Sequence, residues 1–144
     1  MLNFKLPFQA YSINNQYYAD RKFGMRKEAK EYCYQVNWQI NAHSNEFEKF
    51  SKQFNPALHS LKVQFTHVYK EFYNKAGHIS SKCFDLTNTE KLLLDLLFDE
   101  RHHGQAPYKS PNLSINDKYV TELISKKCYG PEDCVLITIE LVSL

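Results

Sequence analysis

The sequence predicts an α+β fold: one domain spanning 1–144, with two main helices on one face of a small mixed β-sheet. Three observations predict it. Residues 2–8, 61–72 and 134–142 alternate side chains with the two-residue period of a half-buried strand. Residues 25–42 and 87–98 repeat apolar side chains every three or four positions, as an amphipathic helix does. The elements run strand, helix, strand, helix, strand, strand, and no repeat, low-complexity tract or linker divides them.

Composition bounds the classes. A chain of 144 residues buries well over half of its unfolded surface, so it requires no disulfide or metal staple. Lys and Arg number 18 against 16 acids, a net charge of +2 that does not by itself indicate nucleic acid. Aromatics make up 15%, with ten Tyr and ten Phe, and exposed tyrosines among them are candidates for base stacking. Cys33, Cys83, Cys128 and Cys134 form no CxxC pair and no Cys/His ligand spacing, so they read as reduced thiols. Residues 1–8 lack a signal-peptide pattern, and no run reaches the ~18 apolar residues of a membrane span. A soluble, cytoplasmic protein in a reducing compartment is expected.

In chain order, Leu2, Phe4, Leu6 and Phe8 form one face of a first strand ended near Pro7. Residues 9–24 have loop composition, with Ser12, Asn14, Asn15, Gln16, Tyr17, Tyr18, Arg21 and Lys22 before Gly24. They suit an inert surface loop or a nucleic-acid arm, in which Arg21 and Lys22 meet phosphates while Tyr17 and Tyr18 stack on bases. Ala29, Tyr32, Cys33, Val36 and Ile40 form one helical stripe over 25–42. Phe47, Phe50 and Phe54 extend the periodicity over 45–54 until Pro56, as one helix or as two broken near His43-Ser44-Asn45. Over 61–72, Leu61, Val63, Phe65, His67 and Tyr69 alternate with Lys62, Gln64, Thr66, Val68 and Lys70.

A turn-rich link over 74–81 contains Gly77 and leads to the helix over 87–98. Residues 99–116 then form a long connection with His102, His103, Gly104, Pro107 and Pro111, a length that tends to be mobile or functional. Adjacent histidines on a loop rarely converge on one metal, and His67 and His78 read as structural. Residues 118–127 read as a strand and 129–133 as a turn. Residues 134–142 are the cleanest strand, with Val135, Ile137, Ile139 and Leu141 on one side.

The candidate chemistry opens the 87–98 helix. Asn88, Lys91 and Asp95 follow Asp85 at offsets near whole helical turns and so share one polar stripe with it. Leu86, Leu93, Leu94, Leu97 and Phe98 form the core side. Asp117 lies just before the later strand. Metal-assisted phosphodiester cleavage needs hard oxygen ligands that leave positions for water and phosphate, and a cation to offset charge on the phosphate. Asp85 and Asp117, if brought together, supply the carboxylates; Lys91 supplies the cation and Asn88 an orienting group. The same residues also suit a plain helix start, because Thr87 with Glu90 fits a capping box.

Two motifs carry a family resemblance. Asp85-Leu86-Thr87-Asn88 with Lys91 and Asp95, followed by Asp117-Lys118-Tyr119-Val120 opening a strand, resembles RusA-type Holliday junction resolvases. Ser12-Ile13-Asn14-Asn15-Gln16-Tyr17-Tyr18 is similar to the family's amino-terminal Asn-Asn-x-Tyr-Tyr stretch. The likeness covers most of the chain, with extra length around 43–57 and 99–116. It implies a RusA-like fold and a homodimeric endonuclease, dependent on Mg²⁺ (or Mn²⁺), that cuts four-way and other branched DNA during recombination or repair. The setting it implies is the cytoplasm of a bacterium or a phage-infected host.

Carried over by motif, Asp85 and Asp117 bind metal, Lys91 assists catalysis and Asn88 supports the site; Asp95 matches a further acidic position. Asn14, Asn15, Tyr17, Tyr18, Arg21, Lys22 and Lys118 would face DNA. Thr87 departs from the pattern, standing where the family has a second aspartate. Its hydroxyl can ligate Mg²⁺ but removes one negative charge, which lowers metal affinity. The site then stays active, with Thr87 or a substitute acid such as Glu90, or the protein binds branched DNA without cutting it.

Overall fold

The computed structural model describes residues 1–12, 27–83, 85–98 and 112–144. One mixed sheet holds β1 (Leu2–Leu6), β2 (His59–Tyr69), β3 (Val120–Tyr129) and β4 (Cys134–Ser143) in the order β1-β4-β2-β3. Among the described residues three α-helices accompany it: α1 (Lys27–Ala42), α2 (Ser44–Gln53) and α3 (Thr87–Leu97). The architecture is the α+β arrangement that the sequence predicts, with one helix more. No helix among the described residues is long and apolar enough to cross a membrane.

Register explains which side of the sheet the helices cover. β1 and β2 both pair antiparallel with β4, through Leu2↔Ile139 and Val63↔Ile139. Leu2, Phe4 and Leu6, then Leu61, Val63 and Phe65, then Val135, Ile137 and Ile139, are therefore buried on one face. They join Val36 and Ile40 of α1, Phe47 and Phe50 of α2, and Leu93 and Leu97 of α3 in a single core. The alternation read in β2 and β4 is the alternation observed.

β2 and β3 run parallel, with a register shift between Leu61↔Val120 and Lys62↔Glu122. A parallel pair requires a crossover, and α3 lies in it. The chain leaves the end of β2, passes through α3, and returns to the start of β3 just after Asp117. This topology carries an acid at the mouth of β3 back toward α3.

Several boundaries differ from the sequence reading. β1 stops at Leu6; Phe8 lies beyond it, edge-on to Tyr32 at 5.7 Å. β2 begins at His59 and ends at Tyr69, because the next amide, that of Lys70, donates to Asp133 Oδ1 at 3.0 Å and turns the chain. The helical stretch breaks at His43, whose Nδ1 meets the Gln39 carbonyl at 2.9 Å. The break re-aims α2 so that Phe47 packs edge-on to Phe4 at 5.2 Å. Residues Asp117–Tyr119, assigned to a strand from 118 onward, form a 3₁₀ turn. Asn116 Oδ1 accepts from the Lys118 amide at 2.8 Å there, a local bond that competes with strand pairing.

Candidate functional site

The site begins with α3. Leu92, Leu93, Leu96, Leu97 and Phe98 are buried, while Leu86 and Leu94 are only half-buried. The core side is thus rotated from the one predicted, and Thr87, Glu90, Lys91 and Leu94 form the outer stripe at i, i+3, i+4 and i+7. The expected capping box does not form. Leu86 already has helical backbone angles and stands at the N-cap, with no side-chain cap hydrogen bond. Thr89 closes the first turn instead, its Oγ1 donating to the Leu86 carbonyl at 2.9 Å. Thr87 is therefore not the cap, and its exposed side chain faces the outer stripe.

Asp117 is delivered to this stripe by the segment before it. Leu113 and Ile115 are buried anchors. The Leu113 amide donates to the Leu97 carbonyl at 3.0 Å, satisfying a group that the end of α3 leaves open. Asn112 Nδ2 donates to the Phe98 carbonyl at 3.1 Å, and Ser51 Oγ on α2 donates to the Leu113 carbonyl at 2.6 Å. With the chain so fastened, Asp117 joins Thr87, Glu90, Lys91, Leu94 and Asp95 around one cleft of about 250 Å³. Asp85 is exposed and outside that lining, because it precedes the helix and lies off the stripe that Thr87 starts.

Within the cleft, Lys91 Nζ lies 3.6 Å from Asp95 Oδ1. The lysine is 59% exposed and the aspartate only 6%, so a surface cation covers a nearly buried carboxylate. Asp95 also reaches inward. The Cys33 thiol on α1 is pushed up to about 12, chiefly by burial and then by the negative charge of Asp95. A polar residue read as part of an exposed stripe thus sits at the seam between α3 and α1.

Two more groups frame α3. His67 on β2 is 1% exposed, and its Nε2 lies 3.3 Å from Thr89 Oγ1. Burial lowers its pKa to about 4, so the ring is neutral at neutral pH. This is the structural role expected for it. Lys118 is exposed beside Asp117, its Nζ 5.1 Å from the centre of the Tyr119 ring. Asn14, Asn15, Tyr17, Tyr18, Arg21, Lys22, His102, His103 and the Asn88 side chain lie outside the described residues.

The donors of the cleft are hard oxygens: carboxylates of Asp117, Asp95 and Glu90 and the hydroxyl of Thr87. Among the described residues no group of three or more His, Cys, Asp or Glu side chains is gathered to hold a metal ion. Hard oxygens of this kind are the ligand type that Mg²⁺ takes, one or two carboxylates with water completing the shell. It does not fit a closed protein cage. A larger groove of about 450 Å³ lies between Pro7, Phe8, Tyr34, Gln35, Trp38 and Gln39, and among the described residues the Tyr34 phenol is the one titratable side chain in its lining. The chain matches no protein-family model and no curated protein sequence.

Proposed function

We propose that the cleft between α3 and the mouth of β3 is a phosphodiester-binding site, and that the protein is an Mg²⁺-dependent endonuclease acting on branched DNA. The observation that carries this reading is the arrival of Asp117 beside Thr87, Glu90 and Lys91, from a segment distant in sequence. The bound ion would supply Lewis-acid activation and charge neutralisation. Asp117 and Glu90 are the residues to hold it, with Thr87 as a neutral oxygen donor. Lys91 offers a cation to the phosphate, and Asp95 holds that cation in the cleft. A homodimer would present two such clefts to the two strands of a four-way junction.

A second reading shares the substrate but not the chemistry. The 3.6 Å Lys91–Asp95 pair already engages one carboxylate of the cleft, and Asp85 lies outside it. A site so depleted of negative charge would bind branched DNA without cutting it. Incubating a labelled four-way junction with Mg²⁺ or Mn²⁺ separates the readings. Nicks that disappear in Asp117→Asn support the nuclease. Retarded but intact junction supports the binding protein, and absence of both sinks the two together.

A further inference from the structure

Two tyrosines from distant parts of the chain stand side by side on the surface. Tyr73 and Tyr129 are 56% and 60% exposed, with ring centres 6.1 Å apart and planes inclined by 32°. Aromatic rings this exposed do little for the core, yet both are held firmly. Phe72, 7% exposed, supports Tyr73 edge-on at 4.9 Å. Tyr73 bridges to Ile79 across a short turn in which Asn74 Oδ1 accepts from the amides of Ala76 and His78, both at 3.0 Å. Gly77 completes that turn with a φ of +81°, a left-handed conformation natural to glycine. Tyr129 ends β3, and the next amide, that of Gly130, donates to the Tyr69 carbonyl at 3.2 Å.

The lysines here narrowly outnumber the acids. Lys70, Lys75, Lys82 and Lys127 occupy the same turn and strand end, against Glu71, Glu132 and Asp133, and Lys127 shares the face of β3 that carries Tyr129. Glu71 pairs with Lys82 at 3.1 Å, which takes one charge of each sign out of the group, and Asp133 accepts from the Lys70 amide. Burial raises the Cys83 thiol pKa and the charge of Lys127 opposes that rise, which locates Lys127 beside the turn.

We propose that Tyr73 and Tyr129 form a stacking platform for an unpaired base of a nucleic-acid strand, whose phosphates the flanking lysines neutralise. Flat faces select a ring that a duplex would hide, and the lysines select an anionic backbone. At 6.1 Å the rings are too close for a base to enter between them, so it would stack on their outer faces. The proposal rests on nucleic acid being the ligand, as in the reading above, but not on cleavage.

The test is anisotropy of a labelled oligo-deoxythymidine strand, with a strand of equal length carrying abasic sites and a blunt duplex as controls. Wild-type protein should prefer the thymidine strand to both. Tyr73→Ala/Tyr129→Ala should weaken it about ten-fold or more, with little effect on the abasic strand. Tyr73→Phe/Tyr129→Phe should bind like wild type, since the ring faces remain. Equal binding of thymidine and abasic strands, or no loss in the double alanine variant, overturns the platform. So does tighter, tyrosine-dependent binding of heparin, which would assign the surface to an anionic polysaccharide. The same tyrosine dependence should persist in EDTA, with no divalent ion for the cleft to hold, so failure of the cleft and failure of the platform are read separately.

Discussion

The Lys91 ammonium sits 3.6 Å from an Asp95 carboxylate that is 6% exposed, and the two partners are unequal in what they lose when parted. A mostly exposed lysine regains water when its partner is removed. A nearly buried aspartate that loses its cation regains much less water. Lys91→Ala should therefore destabilise the fold by about 1–2 kcal/mol, less than for a fully buried pair because solvent screens the lysine. Lys91→Ala/Asp95→Asn should recover part of that loss. Urea unfolding of the three variants checks it; a double variant less stable than Lys91→Ala shows that Asp95 is held by something other than charge.

Gly130 and Val68 form a second close relationship. A Cβ placed on Gly130 would overlap the Val68 side chain, leaving no room for any larger residue at the start of the β3–β4 turn. Gly130→Ala should cost about 1–3 kcal/mol, the usual range for overpacking. Val68→Ala should relieve it, so the double variant should be more stable than Gly130→Ala alone. Thermal unfolding of the four proteins tests this, and additive losses would argue against steric conflict.

How far the sequence carries depends on what each residue needs to know. Val135, Ile137 and Ile139 need only their own alternation, and β4 reads directly. α3 is harder, because Leu92, Leu93, Leu94, Leu96 and Leu97 spread over about 200° of the helix, wider than the side it buries. The choice of Leu92 and Leu96 over Leu86 and Leu94 is made by the core that α3 shares with α1 and the strands, and Asp95 moves to a seam with it. Thr87 and Glu90 satisfy a capping pattern, yet Leu86 continues the helix backward and the pattern goes unused. The approach of Asp117 to α3 depends on Leu113 and Ile115 being anchored and on the Leu113–Leu97 hydrogen bond, contacts that no local spacing encodes.

His67 makes the fold sensitive to acid. Its pKa is lowered by burial from the ordinary 6.5 to about 4. Above pH 6.5 the ring is neutral folded or unfolded, and no stability is at stake. As pH falls from 6.5 toward 4 the unfolded chain takes up the proton and the folded chain does not, so stability is lost across that window. The gap corresponds to a loss of about 3 kcal/mol at its fullest. His67→Gln should flatten the decline when unfolding free energy is followed from pH 7 to pH 4; an unchanged slope would place the sensitivity elsewhere.

Under the proposed function, Thr87 is the position at which cutting and binding part. It lines the cleft with Asp117, Glu90 and Asp95, takes no part in capping, and contributes an oxygen without a charge. Thr87→Asp adds a carboxylate at the position where the resemblance expects one, without disturbing the Thr89–Leu86 hydrogen bond that closes the first turn. An added acid in the first turn also suits the positive end of the helix, so stability should hold or rise by a few tenths of a kcal/mol. If ligand charge limits the site, junction cleavage by Thr87→Asp should reach half its maximum at about ten-fold lower Mg²⁺ than wild type. Where wild type only binds, the same variant should begin to cut. Asp117→Asn in the Thr87→Asp background should abolish the gain, because the new carboxylate needs a partner across the cleft. A gain that survives Asp117→Asn would mean that the two residues do not share an ion, and the assignment of Asp117 would fall.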